Sequence, residues 1–353
     1  MSRVFSIVLF FLIVPFTIIA QKKEYNALLW RISGHGLTTP SYLYGTMHLT
    51  DKRLFNFPDS LYHSLENSEG FAAEVDMGDF MPQMIREFND DTDKYMLIKN
   101  LVRPELIAPY REKLSKRFNK KFEKITWGEL KALRSKLSSD LIRKGEMPTI
   151  MDVYLFDIAK KQGKWVGGIE DYEDQLKTNK EDDVMSAVDE VLTEKKIVDE
   201  KVEWMINVYL NQQLDTIDVT NELWQGTENN ALIRRNKKMA RRIDSIMQLR
   251  TCLFAIGAAH IPGDSGVVRL LRERGFTVEP VSFSKRIEAG KYIYVSKDLP
   301  WVNAEIKDKW YALQMPGKSE QIKTGEDIPG FISQVYFDLA KMNAYFSFGF
   351  PVE

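Results

Sequence analysis

Two stretches of the sequence end in the same way, and together they decide the fold. Residues 42–48 read YLYGTMH and residues 253–260 read LFAIGAAH, so each is a short apolar run followed by Gly-x-x-His. Short apolar runs that end at glycine predict buried β-strands. In an open parallel sheet, ligands bind beyond the carboxyl ends of the strands. We therefore expect His48 and His260 to lie together at one edge of a sheet.

The glycines of the two motifs, Gly45 and Gly257, are candidate cofactor-binding positions. A residue without a side chain permits a sharp turn and a close approach of the backbone to a bound group. A less specific interpretation is that each histidine caps the following helix or satisfies a buried carbonyl group. The pattern alone leaves both interpretations open.

The other apolar runs indicate an α/β fold with a mixed, mostly parallel sheet. A turn-rich segment predicts a hairpin between residues 28–33 and 41–45. Further strands are expected at residues 71–75, 165–169, 252–256 and 276–281. Helical spacing of apolar side chains predicts a helical insertion at about 176–250 in a domain that covers 26–282. Residues 283–353 are rich in aromatic side chains and predict a small α+β extension.

Two carboxylates follow predicted strands as the histidines do. Glu74 comes after residues 70–73, and Glu170 comes after 165–169. A carboxylate at this edge needs a partner, because an unpaired buried charge is costly. Two imidazoles with one or two carboxylates form a ligand set for a divalent transition metal. The alternative for Glu74 is an ion pair, for which Arg235 is a candidate.

The alternative for Glu170 is an acidic helix start, since three further acidic residues follow it within 171–174.

Composition excludes several classes of protein. The 353 residues contain 49 basic and 50 acidic side chains, unlike the strong basic excess of a nucleic-acid-binding protein. The single cysteine, Cys252, rules out an intramolecular disulfide and is expected to be an inert core thiol. No His-Glu-x-x-His or Gly-x-Ser-x-Gly sequence is present, so the common zinc protease and serine hydrolase classes are not supported. His35 and His63 are expected to be exposed or structural.

The first 20 residues predict an export signal. Arg3 precedes an almost wholly apolar run over residues 4–19, and polar residues follow Ala20. This run is shorter than the roughly 20 residues that a transmembrane helix needs. We expect a periplasmic or secreted protein that touches a membrane only if this segment is not cleaved.

The paired motifs and Glu74 together resemble the TraB/GumN family, which is related to the TIKI metalloproteases and more distantly to erythromycin esterase and ChaN-type proteins. Supporting segments are residues 151–155, 168–170, 235–236 and 255–267. The resemblance covers about residues 26–282 and leaves out the aromatic-rich extension.

This resemblance implies a metal-dependent hydrolase that cleaves peptide or amide bonds with a divalent metal, manganese or cobalt. His48 and His260 would be metal ligands, and Glu74 would be a third ligand or the base acting on a bound water. A peptide or small-molecule substrate would be bound by Arg235, Asn236 and Glu170. Two other hypotheses stay open: a non-catalytic protein that binds a metal, haem or a small ligand, and a protein that binds a partner or glycan.

Overall fold

The fold is described from a computed structural model of the chain. The structure describes residues 25–90, 93–139, 146–176, 180–217, 230–297, 301–304, 312–321, 332–338 and 343–349. The predicted export signal lies outside these residues and stays a prediction. No helix within the described ranges is long and apolar enough to cross a membrane.

A central sheet of six strands confirms the predicted α/β fold class. The first eight strands are β1 (Leu29–Gly34), β2 (Ser41–Thr46), β3 (Asn56–Pro58), β4 (Gly70–Ala73), β5 (Trp165–Gly168), β6 (Cys252–Gly257), β7 (Phe276–Pro280) and β8 (Arg286–Glu288). The sheet order is β5-β4-β6-β2-β1-β7, while β3 and β8 form a separate pair. The predicted hairpin is the antiparallel pair β1 and β2.

Four neighbouring strands, β5, β4, β6 and β2, run parallel to one another. Their register places Thr46 beside Gly257 and places Ala73 beside both Ala255 and Gly168. The carboxyl ends of these strands therefore meet at one edge, as a parallel arrangement requires. Strand β1 is antiparallel to both of its neighbours, which makes the sheet mixed.

In the described part of the chain, eleven α-helices have defined bounds, besides short 3-10 helices and a helical segment at 214–217. They are α1 (Asp59–Glu66), α2 (Met77–Asp90), α3 (Pro104–Ile107), α4 (Arg111–Phe118), α5 (Trp127–Ser139), α6 (Met151–Lys161), α7 (Tyr172–Leu176), α8 (Lys180–Leu192), α9 (Lys195–Leu210), α10 (Asn230–Met247) and α11 (Val267–Glu273). In α10 the buried positions Asn236, Met239, Ala240, Ile243 and Met247 recur at helical spacing. This spacing places Asn236 on the face of α10 that packs on the sheet domain.

The helices belong to two hydrophobic clusters. The main cluster contains the sheet with side chains of α1, α6, α9, α10 and α11, and Cys252 is fully buried within it. The second cluster joins residues 98–130 to α8. The helices between β5 and β6 thus pack in two places, because α8 turns away from the sheet while α9 and α10 cover it.

The end of the chain adds short strands: β9 (Val302–Asn303), β10 (Gln314–Met315), β11 (Glu320–Gln321), β12 (Ile332–Asp338) and β13 (Asn343–Gly349). Strands β11, β12 and β13 form a three-stranded sheet that contacts α2. A cavity of about 370 Å³ lies between this sheet, α2 and α6, with Phe156, Trp301 and Tyr336 in its wall. Phe346 and Phe348 of β13 are exposed to solvent.

Candidate functional site at the carboxyl edge of the sheet

The strand ends bring His48, Glu74 and His260 together. His48 follows β2, Glu74 directly follows β4, and His260 lies in a short 3-10 turn after β6. Glu74 Oε1 lies 3.6 Å from Nε2 of His260 and 3.9 Å from Nε2 of His48. The backbone N–H of Gly257 also donates to this oxygen at 2.6 Å. The structure therefore places two imidazoles and a carboxylate around one point at the sheet edge.

Arg235 of α10 joins the two strand-end carboxylates. Its Nη2 donates to Glu74 Oε2 at 2.9 Å and to Glu170 Oε2 at 2.8 Å, and its Nε donates to both oxygens of Glu170 at 3.0 Å. The Glu74 and Glu170 side chains are almost fully buried, and the guanidinium is the cation that accompanies both. The ion pair expected as an alternative for Glu74 is thus present, and it includes Glu170.

The two motif glycines have different surroundings. A Cβ on Gly257 would come within 3.0 Å of Glu74 Oε1 and 3.6 Å of His48 Nε2, so this glycine keeps space open under the site. A Cβ on Gly45 would instead meet Ile261 Cδ1 at 2.8 Å and Ala258 at 3.3 Å. Neither glycine has a positive φ. Neither position therefore needs glycine for its backbone angles, and at both positions the missing side chain permits a close approach, which is one of the two reasons that the sequence suggested.

Asn236 fixes the orientation of the His260 ring through the ring nitrogen Nδ1. Its Nδ2 donates to the carbonyl oxygen of Ser265 at 2.8 Å, which fixes the orientation of the amide. Its Oδ1 lies 2.5 Å from His260 Nδ1 and can act there only as an acceptor. His260 therefore carries a proton on Nδ1 and turns Nε2 toward Glu74.

Asp152 of α6 faces His48 and was missed by the sequence reasoning. Its Oδ2 lies 3.0 Å from His48 Nδ1, and Thr46 Oγ1 donates to its Oδ1 at 2.8 Å. The residue is fully buried. The signal in the sequence was an acidic residue between the apolar Met151 and Val153, a pattern that the first turn of any helix also explains.

The surroundings give the ionisable groups different protonation states. The charge of Asp152 raises the pKa of His48 to about 11, and burial lowers the pKa of His260 to about 4. Burial would raise the pKa of Glu74, but the neighbouring imidazoles outweigh it and hold that pKa well below its usual range. Burial raises the pKa of Glu170. Glu74 is thus an ionised acceptor between a protonated and a neutral imidazole.

The arrangement combines a buried carboxylate with two imidazole nitrogens that face it, which suits proton transfer or metal binding. Within the described ranges, no group of three or more His, Cys, Asp or Glu side chains has its donor atoms arranged to hold a metal ion. The Gly257 N–H and Arg235 Nη2 each donate to one oxygen of Glu74, and each of these oxygens keeps a second lone pair.

In comparisons with known proteins, a family profile and several relatives match this chain. The profile of the TraB/PrgY/gumN family matches residues 28–280, which include every site residue described above. Metalloprotease TIKI1 of Danio rerio is 24% identical over 322 residues, covering 73% of this chain and 64% of the relative. A Metalloprotease TIKI homolog of Nematostella vectensis is 23% identical over 337 residues, covering 76% and 70%.

The chain thus matches less than two thirds of the length of the Danio rerio relative. No solved structure matches it. The family profile covers well over half of the sequence, and the chain therefore belongs to the TraB/PrgY/gumN family.

Proposed function

We propose that this chain is an exported metal-dependent hydrolase that cleaves peptide or amide bonds. One observation carries the proposal: two imidazole Nε2 atoms and Glu74 Oε1 face one another over Gly257. Two relatives that are 24% and 23% identical to this chain are named metalloproteases, which supports the same class of reaction.

The donor chemistry fits a divalent cation. An imidazole whose Nδ1 is held by a carboxylate or an amide oxygen offers the lone pair of Nε2, the usual arrangement behind a metal-bound histidine. Asp152 contacts Nδ1 of His48 in this way, and Asn236 contacts Nδ1 of His260. Two imidazoles and one carboxylate suit manganese, cobalt, zinc or iron, and we propose manganese or cobalt in agreement with the family resemblance.

The net charge of the site also favours a divalent cation. Glu74, Glu170 and Asp152 contribute three buried negative charges, while Arg235 contributes one positive charge. With His48 protonated one negative charge is left, and two are left once His48 gives up its proton to bind an ion, so a divalent cation would balance the site.

In the proposed reaction, His48 and His260 would hold the ion, and Glu74 would be a third ligand or the base. The bound ion would supply a water of lowered pKa and polarise the substrate carbonyl group. Glu74 can accept a proton at Oε1 while Arg235 keeps its other oxygen in place. Arg235 is partly exposed, so contact of its guanidinium with a substrate carboxylate stays part of the proposal. Asn236 is buried and acts through His260.

Metal binding tests the proposal. The full chain, as the cell produces it, is titrated with manganese, cobalt, zinc and iron(II) by calorimetry without oxygen, and hydrolysis of a peptide library is then followed. One ion per chain is expected, and His48→Ala and His260→Ala should both lose it. His63→Ala is the matched control, because His63 is exposed on α1. A wild-type chain that binds none of these ions contradicts the proposal.

Glu74→Gln separates the hydrolase from a non-catalytic binding protein. If Glu74 is the base, this variant keeps much of the metal affinity and loses turnover. If the wild-type chain binds an ion but cleaves nothing in the library, the binding-protein hypothesis is favoured. Export rests on residues 1–20 and is tested by fractionating cells that express the chain with and without residues 2–20.

A further inference from the structure

Asp152 is an unusual residue of the site, because its charge is fully buried and only part of it is satisfied. It lies in the first turn of α6 with no exposed surface. Thr46 Oγ1 donates to Oδ1. In the part of the chain that the structure describes, Oδ2 accepts no well-aligned hydrogen bond, and the group it faces is His48 Nδ1 at 3.0 Å.

A buried carboxylate oxygen without a donor is costly, more so than an unsatisfied neutral group. The cost is removed when Nδ1 of His48 carries a proton and points it at Oδ2. An unprotonated Nδ1 would instead set a lone pair against the carboxylate. The contact therefore favours one location of the imidazole proton.

His48 depends on this contact more than His260 depends on Asn236. The His48 side chain is 49% exposed, whereas that of His260 is 7% exposed and enclosed by its surroundings. An imidazole that is half exposed can rotate and exchange its proton between the two nitrogens unless a neighbour holds it. Asp152 is the neighbour in position to do so.

We propose that Asp152 is a positioning residue that keeps a proton on Nδ1 of His48 and so reserves Nε2 for the site. What Nε2 then does rests on the proposed function, but the location of the proton does not. Asp152 touches neither substrate nor metal in this proposal and acts through the orientation of His48.

Nitrogen NMR of the histidines measures this location directly. The full chain is labelled with ¹⁵N-histidine, kept free of metal and recorded over a pH series from 7 to 10.5, with signals assigned through His48→Gln and His260→Gln. In the wild-type chain Nδ1 of His48 should stay protonated throughout the series, first in the imidazolium form and then as Nε2 begins to lose its proton. In Asp152→Ala its shift should move toward that of an unprotonated nitrogen, while the signals of His260 stay in place. Asp152→Asn should restore the proton on Nδ1, since Asn236 does the same for His260.

Metal affinity gives a second measurement. Asp152→Ala should weaken binding of Mn²⁺ or Co²⁺ by about 10- to 100-fold, the usual loss when a group behind a ligand is removed, and Asp152→Asn should recover most of it. An unprotonated Nδ1 of His48 in the wild-type chain overturns the proposal, and so does an Nδ1 that stays protonated in Asp152→Ala. The proposal also fails if Asp152→Asn behaves like Asp152→Ala. If Asp152→Ala does not fold, the wild-type spectrum decides.

The proposed function can fail separately. A wild-type chain that binds no metal and cleaves no peptide would contradict the hydrolase, while the location of the His48 proton would still be measured.

Discussion

At the scale of single residues, Arg235 makes the buried carboxylates possible. Two ionised side chains at one sheet edge repel each other, and removing their charges from water costs several kcal/mol per ion in typical cases. The guanidinium fork contacts Glu74 with one nitrogen and Glu170 with two. A planar group with fixed donor directions suits this double role better than an ammonium would.

Arg235→Leu should therefore lower the free energy of unfolding by about 3 kcal/mol, because it leaves two buried carboxylates without their cation. Chemical denaturation of the metal-free chain measures this loss. Arg234→Leu is the control, since Arg234 is exposed on the same helix. Adding Glu170→Gln to Arg235→Leu should recover part of the loss. Equal effects of the two leucine variants would show that the ion pairs contribute little.

Alanine substitutions at the two motif glycines should have different effects, one on the site and the other on stability. Gly257→Ala would place a methyl group 3.0 Å from Glu74 Oε1, so metal affinity and turnover should fall at least tenfold with little loss of stability. Gly45→Ala would press on Ile261 and Ala258, so it should cost about 1–3 kcal/mol of stability through overpacking. Calorimetric metal titration and thermal unfolding of both variants measure the two effects. The same response in both variants would contradict the distinction.

The sequence predicts part of this site for a physical reason. Residues that follow parallel strands meet at one edge, so the proximity of His48, Glu74 and His260 could be expected from short local patterns. Asp152 could not be expected, because its burial depends on how α6 docks against the end of β2. Its contact with His48 joins residues about a hundred positions apart, and no local pattern contains it.

At the scale of elements, the second hydrophobic cluster is another contact that local sequence patterns do not contain. The amphipathic spacing of α8 predicts a helix with one buried face but does not say what covers it. The structure places Val184, Ala187 and Val188 of α8 in one cluster with residues 98–130, and α5, which carries the buried Leu130, contacts α8. Such a contact between distant segments is set by the whole chain.

Leu130→Ala tests whether this cluster is a separate unit of stability. Leu130 is fully buried, so its truncation should cost about 2–5 kcal/mol through lost burial and the cavity left behind. Hydrogen exchange should become faster in α5 and α8 while β2 and β6 keep their protection. Uniform acceleration across the whole sheet domain would instead show that both clusters unfold together.

At the scale of the whole molecule, the family profile ends at residue 280 but the packed core does not. Strand β8 pairs with β3, and Ala289 belongs to the main cluster. The ring of Tyr292 stacks on that of Tyr62 with centroids 3.7 Å apart. Tyr154 links both parts, since its hydroxyl donates to the Ala289 carbonyl at 2.9 Å and lies 3.1 Å from that of Tyr62.

This continuity predicts different results for two truncations. A chain that ends at residue 282 loses β8 and the Tyr62 stacking partner, and it exposes apolar surface of Phe57, so its melting temperature should fall strongly. A chain that ends at residue 297 keeps these contacts and should unfold as cooperatively as the full chain, with its metal affinity unchanged. Thermal unfolding of the three chains measures this, and Tyr292→Ala in the full chain should lie between the extremes. If the chain ending at 282 is as stable as the full chain, residues 286–294 do not belong to the stabilising core.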